Sequence, residues 1–345
     1  MSYPEIKLDA GMYEEARKQG VTFTEYLARL EREVGYEPPR GSQLDAFERQ
    51  LARWGIVVKG PQASLVEAFY QTYESSVLFP EFINRQVRMG FQLGQNELKV
   101  EDLVATTSQI DAAAYRSLKV NDEGEPEEIL RVGEFGEFPA TTLTYQENEI
   151  KLIKFGRRLQ ASYEVLRRTK VDLLAVHLRL LGLKMRRAMA RWGLEVLING
   201  DGNANPAPTV GASSPDTLTY ADLVGLFLEI QDDGYDPTHW VVDLTQAKAI
   251  LTMTEFKDPQ AGFNFQRTGE MISPLGVTLR LFKYAPKNRV VEWDQKAALE
   301  LVEEAGGQLV DSDRVISRQF EEIVISHVAG FAKIYPEAAR VLVIS

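Results

Sequence analysis

The sequence contains no cysteine. Disulfides, thiolate nucleophiles and cysteine metal sites are excluded with it. Histidine is almost as scarce. His177, His239 and His327 are the only three, far apart and outside any H-E-x-x-H arrangement, which rules out the metalloprotease pattern. No run approaches the roughly 18 apolar residues that a membrane span needs. The opening stretch "MSYPEIKLDAGMYEEARKQG" is charged and lacks the apolar centre of a signal peptide, so a chain made and kept in the cytoplasm is expected. Basic charge is also short, with 39 Lys and Arg against 50 Asp and Glu and a formal net charge of -11. A dedicated nucleic-acid binder is normally basic. That balance does not exclude a container that must avoid sticking to DNA.

What is present is an ordinary folded composition. The chain has 345 residues, 44% hydrophobic and 26% charged, enough for one large or two ordinary domains. Residues 1–75 read as helical. Tyr26, Leu27 and Leu30 fall at helical spacing within Met12–Val34, and Leu44–Ile56 and Ser64–Ser75 read as two more amphipathic helices. Between Asn121 and Glu137 seven acids stand against Arg131 alone. That Gly- and Pro-rich stretch cannot bury a core of its own, so it predicts a long projecting arm or hairpin.

The strongest helix follows. Thr169 and Asp172 match a capping box. Leu174, Leu178, Leu181, Met185, Met189 and Trp192 then share one face through Ile198, a span of roughly 40 Å at 1.5 Å per residue. Beyond it, Thr219 and Asp222 cap a helix, and His239–Asp243 reads as a strand whose Asp243 caps the next helix. Val277–Tyr284 and Arg289–Trp293 read as strands, Asp294–Glu304 as a helix, and Glu322–Ala332 and Ala339–Ile344 as strands.

Three features invite chemistry. The first is "NGDGNANP", Asn199 to Pro206. Read from Asp201 as a calcium loop, its sixth position is Pro206 and its twelfth Ala212, where glycine and glutamate are needed. A phosphate loop would need a helix starting after it, whereas here one ends before it with its negative dipole end facing the loop. Asn199 and Gly200 are therefore read as a helix cap turn. The second is a basic run on the long helix, which includes Arg168, Arg179, Lys184, Arg186, Arg187 and Arg191 against the single acid Asp172. A solvated helix face is the plain explanation. An acidic arm in the same chain makes contact between copies an equal one. The third is the arm itself. Glu127, Glu128 and Glu134 carry its charge, and Phe135 and Phe138 supply packing groups. No nucleophile constellation stands out. No catalytic residue, cofactor or metal is expected, and the His239/Asp243 pair is too little to make a site.

The order of these features resembles the major capsid protein family of tailed bacteriophages, the Hong Kong 97-like fold shared with encapsulins. The resemblance covers about residues 76–345. It rests on "VLFPEFINRQVRMG", the acidic hairpin, "KFGRRLQASYEVLRRTKVDLLAVHLRLLGLKMRRAMARWGLEVLINGDGNANP", the helix–strand–helix block that follows, and the tail "HVAGFAKIYPEAARVLVIS". It implies an α+β fold. Residues 1–75 would be a helical extension, either scaffold-like or an enlarged arm. Residues 76–118 would hold the N-terminal arm and the start of the peripheral domain, 119–152 the extended loop lying over a neighbouring subunit, and 153–214 the peripheral domain with its spine helix. Residues 215–318 would form the axial domain, and 319–345 the strands returning to the peripheral domain. It further implies a structural protein of the virion, a homo-oligomer of hexamers and pentamers in an icosahedral shell. That shell encloses double-stranded DNA without reading its sequence. Portal, scaffold, protease or decoration proteins are the partners such a shell uses, and membranes are not. An encapsulin-like compartment and a soluble enzyme are the competing readings. Some members cross-link a loop lysine to a neighbour's asparagine. The arm has no lysine between Asn121 and Ile150, so that chemistry is not expected.

Overall fold

The computed structural model describes residues 3–39, 42–112, 114–121, 131–132, 142–257, 271–315 and 320–344. They form two compact units. One is drawn from Met1–Leu93, Lys154–Met185 and Gly306–His327, the other from Gly94–Ile153, Arg186–Ala305 and Val328–Ser345.

The first unit opens with α1 (Met12–Lys18), α2 (Phe23–Glu33) and α3 (Ala46–Arg53). The single helix expected over Met12–Val34 is broken in two. Gly20 takes a φ of +65°, and Thr22 opens a new helix through a capping box with Glu25. Asp45 and Glu48 do the same for α3. The third expected helix is instead a 3-10 turn (Val66–Tyr70) followed by the short α4 (Tyr73–Ser76). Within the stretch that the resemblance assigns to the N-terminal arm lies α5 (Leu78–Phe91). Arg85 fastens α5 to the helices before it: it donates to Asp45 at 2.8 Å and Thr24 at 2.6 Å and lies 4.4 Å over the Phe47 ring. After β4 (Ile153–Ser162) and α6 (Tyr163–Arg168) comes α7 (Val171–Asn199), 29 residues long, whose first half belongs to this unit. Phe47, Phe69 and Phe82 share one core with Val171, Leu174 and Leu178 of α7. At the crossing of α5 and α7 the backbones touch. A Cβ on Gly90 would lie 2.2 Å from Arg179 O, and one on Gly182 would lie 2.1 Å from Val87 O. Only glycine fits either place.

The capping box read at Thr169 and Asp172 does not form. Thr169 Oγ1 donates to Val165 O at 2.6 Å, closing α6, and Asp172 accepts from the Leu173 N–H at 2.8 Å. The short helix in front claims the threonine, and α7 starts without it.

The second unit is built on a mixed five-stranded sheet. Its strands are β5 (Thr209–Gly211), β6 (His239–Val242), β7 (Thr278–Leu281), β8 (Arg289–Trp293) and β11 (Ala339–Val343), in the order β5-β11-β8-β6-β7. Helices α8 (Tyr220–Asp232) and α9 (Leu244–Thr252) share a core with it through Leu223, Leu226, Trp240, Ala247, Ile250 and Leu279, and the short α10 (Thr254–Lys257) follows α9. Thr219 with Asp222, and Asp243, cap α8 and α9 as the sequence suggested. The helix expected over Asp294–Glu304 is a turn followed by a strand. Ala298 N–H reaches Asp294 O at 3.1 Å. Leu299–Glu304 then opens β9 (Leu299–Val315), pairing in parallel with β1 (Val104–Ile110). The ladder on β1 overrides the helical preference of "DQKAALE". β10 (Phe320–Lys333) supplies the strand-rich tail. Among the described residues, no helix is long and apolar enough to cross a membrane.

Candidate assembly surfaces

Two short strands, β2 (Leu118–Asn121) and β3 (Thr142–Tyr145), pair antiparallel with Leu118 opposite Tyr145 and Val120 opposite Leu143. Side chains alternate along a strand. The register therefore puts Leu118, Leu143 and Tyr145 on one face and Lys119, Thr142 and Thr144 on the other. The apolar face is open: Leu118 is 52% exposed, Leu143 67% and Tyr145 71%. A two-stranded ribbon is marginal by itself in water. The acidic arm joins these strands. Glu127, Glu128, Glu134, Phe135 and Phe138 lie in it, outside the described residues.

The feet of the ribbon are pinned. Glu300, buried on β9, accepts from Ser108 Oγ at 2.5 Å, Tyr115 OH at 2.8 Å and Ser117 Oγ at 3.4 Å. Burial and that carboxylate push the Tyr115 phenol up to about 12. On the other foot the Gln146 N–H donates to Ser117 O at 2.9 Å.

The expected apolar face of α7 is buried at Leu174, Leu178, Met185 and Met189, with Leu181 and Trp192 half-buried. A second apolar stripe, at steps of three and four, faces solvent instead: Leu173 is 54% exposed, Val176 58% and Leu180 45%. His177 is exposed beside it. Sequence reasoning missed this stripe because it tracked only the core face. The spacing 173, 176, 180 was the available signal.

The basic run is not one continuous surface. Arg186 is only 2% exposed and bonds Glu97 at 2.7 Å, and Arg187 takes the other oxygen of Glu97 at 2.6 Å. Arg179 donates to Gln86 at 2.9 Å. Arg191 pairs with Glu195 at 3.1 Å and lies 5.5 Å over the Tyr284 ring. Arg168 and Lys184 are exposed. Counting charge along a helix could not foresee Glu97, which lies far away in sequence.

At the end of α7, Gly200 takes a φ of +88° and its N–H returns to Val196 O at 2.8 Å, while Asn199 is the last helical residue. The buried Lys333 ammonium donates to Leu197 O at 3.0 Å, a cation at the negative end of the dipole. Burial nonetheless holds its pKa down at about 8. Asp201 accepts from the Lys333 N–H at 2.9 Å and from Asn203 N–H at 3.1 Å, so its carboxylate serves the turn. Asp243 is likewise occupied, accepting from Gln246 N–H at 2.9 Å. His239 stacks on Trp293 and faces Asp102 at 3.5 Å, with Arg280 on the same carboxylate oxygen at 2.9 Å. His327 is buried on β10. Among the described residues no group of three or more His, Cys, Asp or Glu is placed to hold a metal.

The family model described as phage capsid protein matches residues 146–342, more than half of the chain. The chain belongs to the phage capsid protein family. Solved capsids carry the same fold at low identity. The capsid of an empty GTA particle is 14% identical with a TM-score of 0.51, over 74% of this chain and 93% of its own. The capsid of cyanophage P-SCSP1u is 14% identical with a TM-score of 0.51, over 73% and 90%. Microbacterium phage Oxtober96 is 9% identical with a TM-score of 0.52, over 72% and 92%. No curated protein matches the chain. The capsid subunit thus has the Hong Kong 97-like α+β fold, and it is a structural protein of a phage capsid. The family match covers the second foot of the ribbon, all of α7 and, but for Val343, the five-stranded sheet of the second unit.

Proposed function

We propose that copies of this major capsid protein close into an icosahedral shell of hexamers and pentamers around double-stranded DNA. In that shell the ribbon of one copy lies on the spine helix of the next. The observation that carries this reading is the open apolar face of Leu118, Leu143 and Tyr145. A face of that kind is buried in the working state of a soluble protein. The stripe Leu173, Val176 and Leu180 on α7 offers a partner of matching chemistry, flanked by the exposed cations Arg168 and Lys184. The acidic arm beyond the ribbon, with a net charge of -6 between Asn121 and Glu137, complements those cations across copies. Each contact is modest, and closure of the shell multiplies them. The net charge of -11 disfavours adhesion of the genome to the wall.

Two substitution sets test the pairing. L143D with Y145S is expected to leave a folded subunit that no longer forms particles at any salt concentration. Lysine at Glu127, Glu128 and Glu134 together is expected to weaken assembly at low ionic strength and less so above about 0.5 M salt, where the screening length falls to a few Å. Normal particles from the first set would remove the apolar contact from the proposal. Normal particles from the second at every ionic strength would remove the charge pairing.

A further inference from the structure

We infer that the helical segment Tyr3–Phe91 is a permanent part of the finished shell wall, not a scaffold that assembly discards; this rests on the shell reading above. A segment that leaves must either fold apart from the wall or peel away without uncovering apolar surface. This one does neither. Phe47, Phe69 and Phe82 share a single core with Val171, Leu174 and Leu178 of the spine helix, and those three helix residues are 0%, 7% and 1% exposed. The backbones of α5 and α7 touch at Gly90 and Gly182, which leaves no layer of side chains along which the two could part. Main-chain bonds run the same way: Val66 N–H donates to Thr169 O, and Val171 N–H to Ser64 O, each at 2.9 Å.

The start of the segment is fastened as firmly as its end. Gln50 Nε2 donates to Pro4 O at 3.1 Å and Arg53 Nη1 to Ile6 O at 2.6 Å, while Leu8 and Leu27 are fully buried. Removing the segment from a finished shell would bare Val171, Leu174 and Leu178, residues that a neighbour's ribbon on the stripe at Leu173, Val176 and Leu180 does not cover. No maturation cleavage therefore releases this layer.

The test places a specific protease site in the exposed loop Lys59–Gln62 of the full chain. Particles are assembled, cleaved and passed over a sizing column, and untreated particles are weighed by denaturing mass spectrometry. Untreated particles are expected to contain the whole 38.9 kDa chain, and cleaved particles to retain both fragments in equal amounts. Closed particles that shed the front fragment, or untreated particles built of a shortened chain, would overturn the inference. Absence of particles before cleavage would instead sink the shell reading, and the inference with it.

Discussion

Glu292 shows how a single residue sets the pH response of the second unit. It is fully buried on β8 and accepts from the Trp240 indole N–H at 2.7 Å, while no group among the described residues meets its Oε2. Burial pushes its carboxyl up to about 8. Between about 4.5 and 8 the folded state holds a proton that the unfolded chain has released. The stabilisation is therefore complete below about 4.5 and is lost as pH rises to 8. Each pH unit in that window is worth at most about 1.4 kcal/mol. The unfolding free energy of wild-type protein is expected to fall from pH 5 to pH 8, and E292Q is expected to flatten that slope. Equal slopes in the two proteins would show that Glu292 does not titrate in this window. Lys333, held down at about 8 by burial, acts in the opposite sense: its contribution rises between about 8 and its ordinary 10.5.

At the scale of elements, the contact of α5 with α7 is the most demanding packing in the first unit. G182A would force a Cβ to 2.1 Å from Val87 O and is expected to cost about 1–3 kcal/mol, the usual range for overpacking. G225A is its control. That glycine lies within α8 and a Cβ there meets nothing within 4 Å, so alanine should be neutral or stabilise by up to about 1 kcal/mol. Chemical denaturation of both variants decides the matter, and a G182A as stable as wild type would mean that the helices do not meet at this crossing. Elements with strong local signals were legible in the sequence. Thr219 with Asp222, Asp243, and the β8 run Arg289–Trp293 all stand where the residues placed them. Elements set by distant partners were not. "DQKAALE" has helical propensity, yet β1 draws Leu299–Glu304 into a strand. Thr169 has the spacing of a cap, yet α6 takes its hydroxyl.

At the scale of the whole molecule, the family could be read from the order of the acidic hairpin, the long helix and the Asn199–Pro206 turn, because each has a local signature. The surfaces were harder. Alternation in Leu118–Asn121 and Thr142–Tyr145 marks a ribbon, but its open face emerges only from the register that sets Leu118 against Tyr145. The basic run of the helix lost Arg186 and Arg187 to Glu97, a pairing that no count along the chain can reveal. The helical front likewise reads as a scaffold-like extension or an enlarged arm until its aromatic residues are found sharing a core with α7. The central claim is that this chain builds a shell by laying its ribbon on a neighbour's spine helix. Electron cryomicroscopy of the purified full-length protein tests it most directly. Closed icosahedral particles are expected, with residues 118–145 of each copy resting on residues 173–180 of the next. A discrete small oligomer, or a shell in which the ribbon touches no other copy, would contradict it.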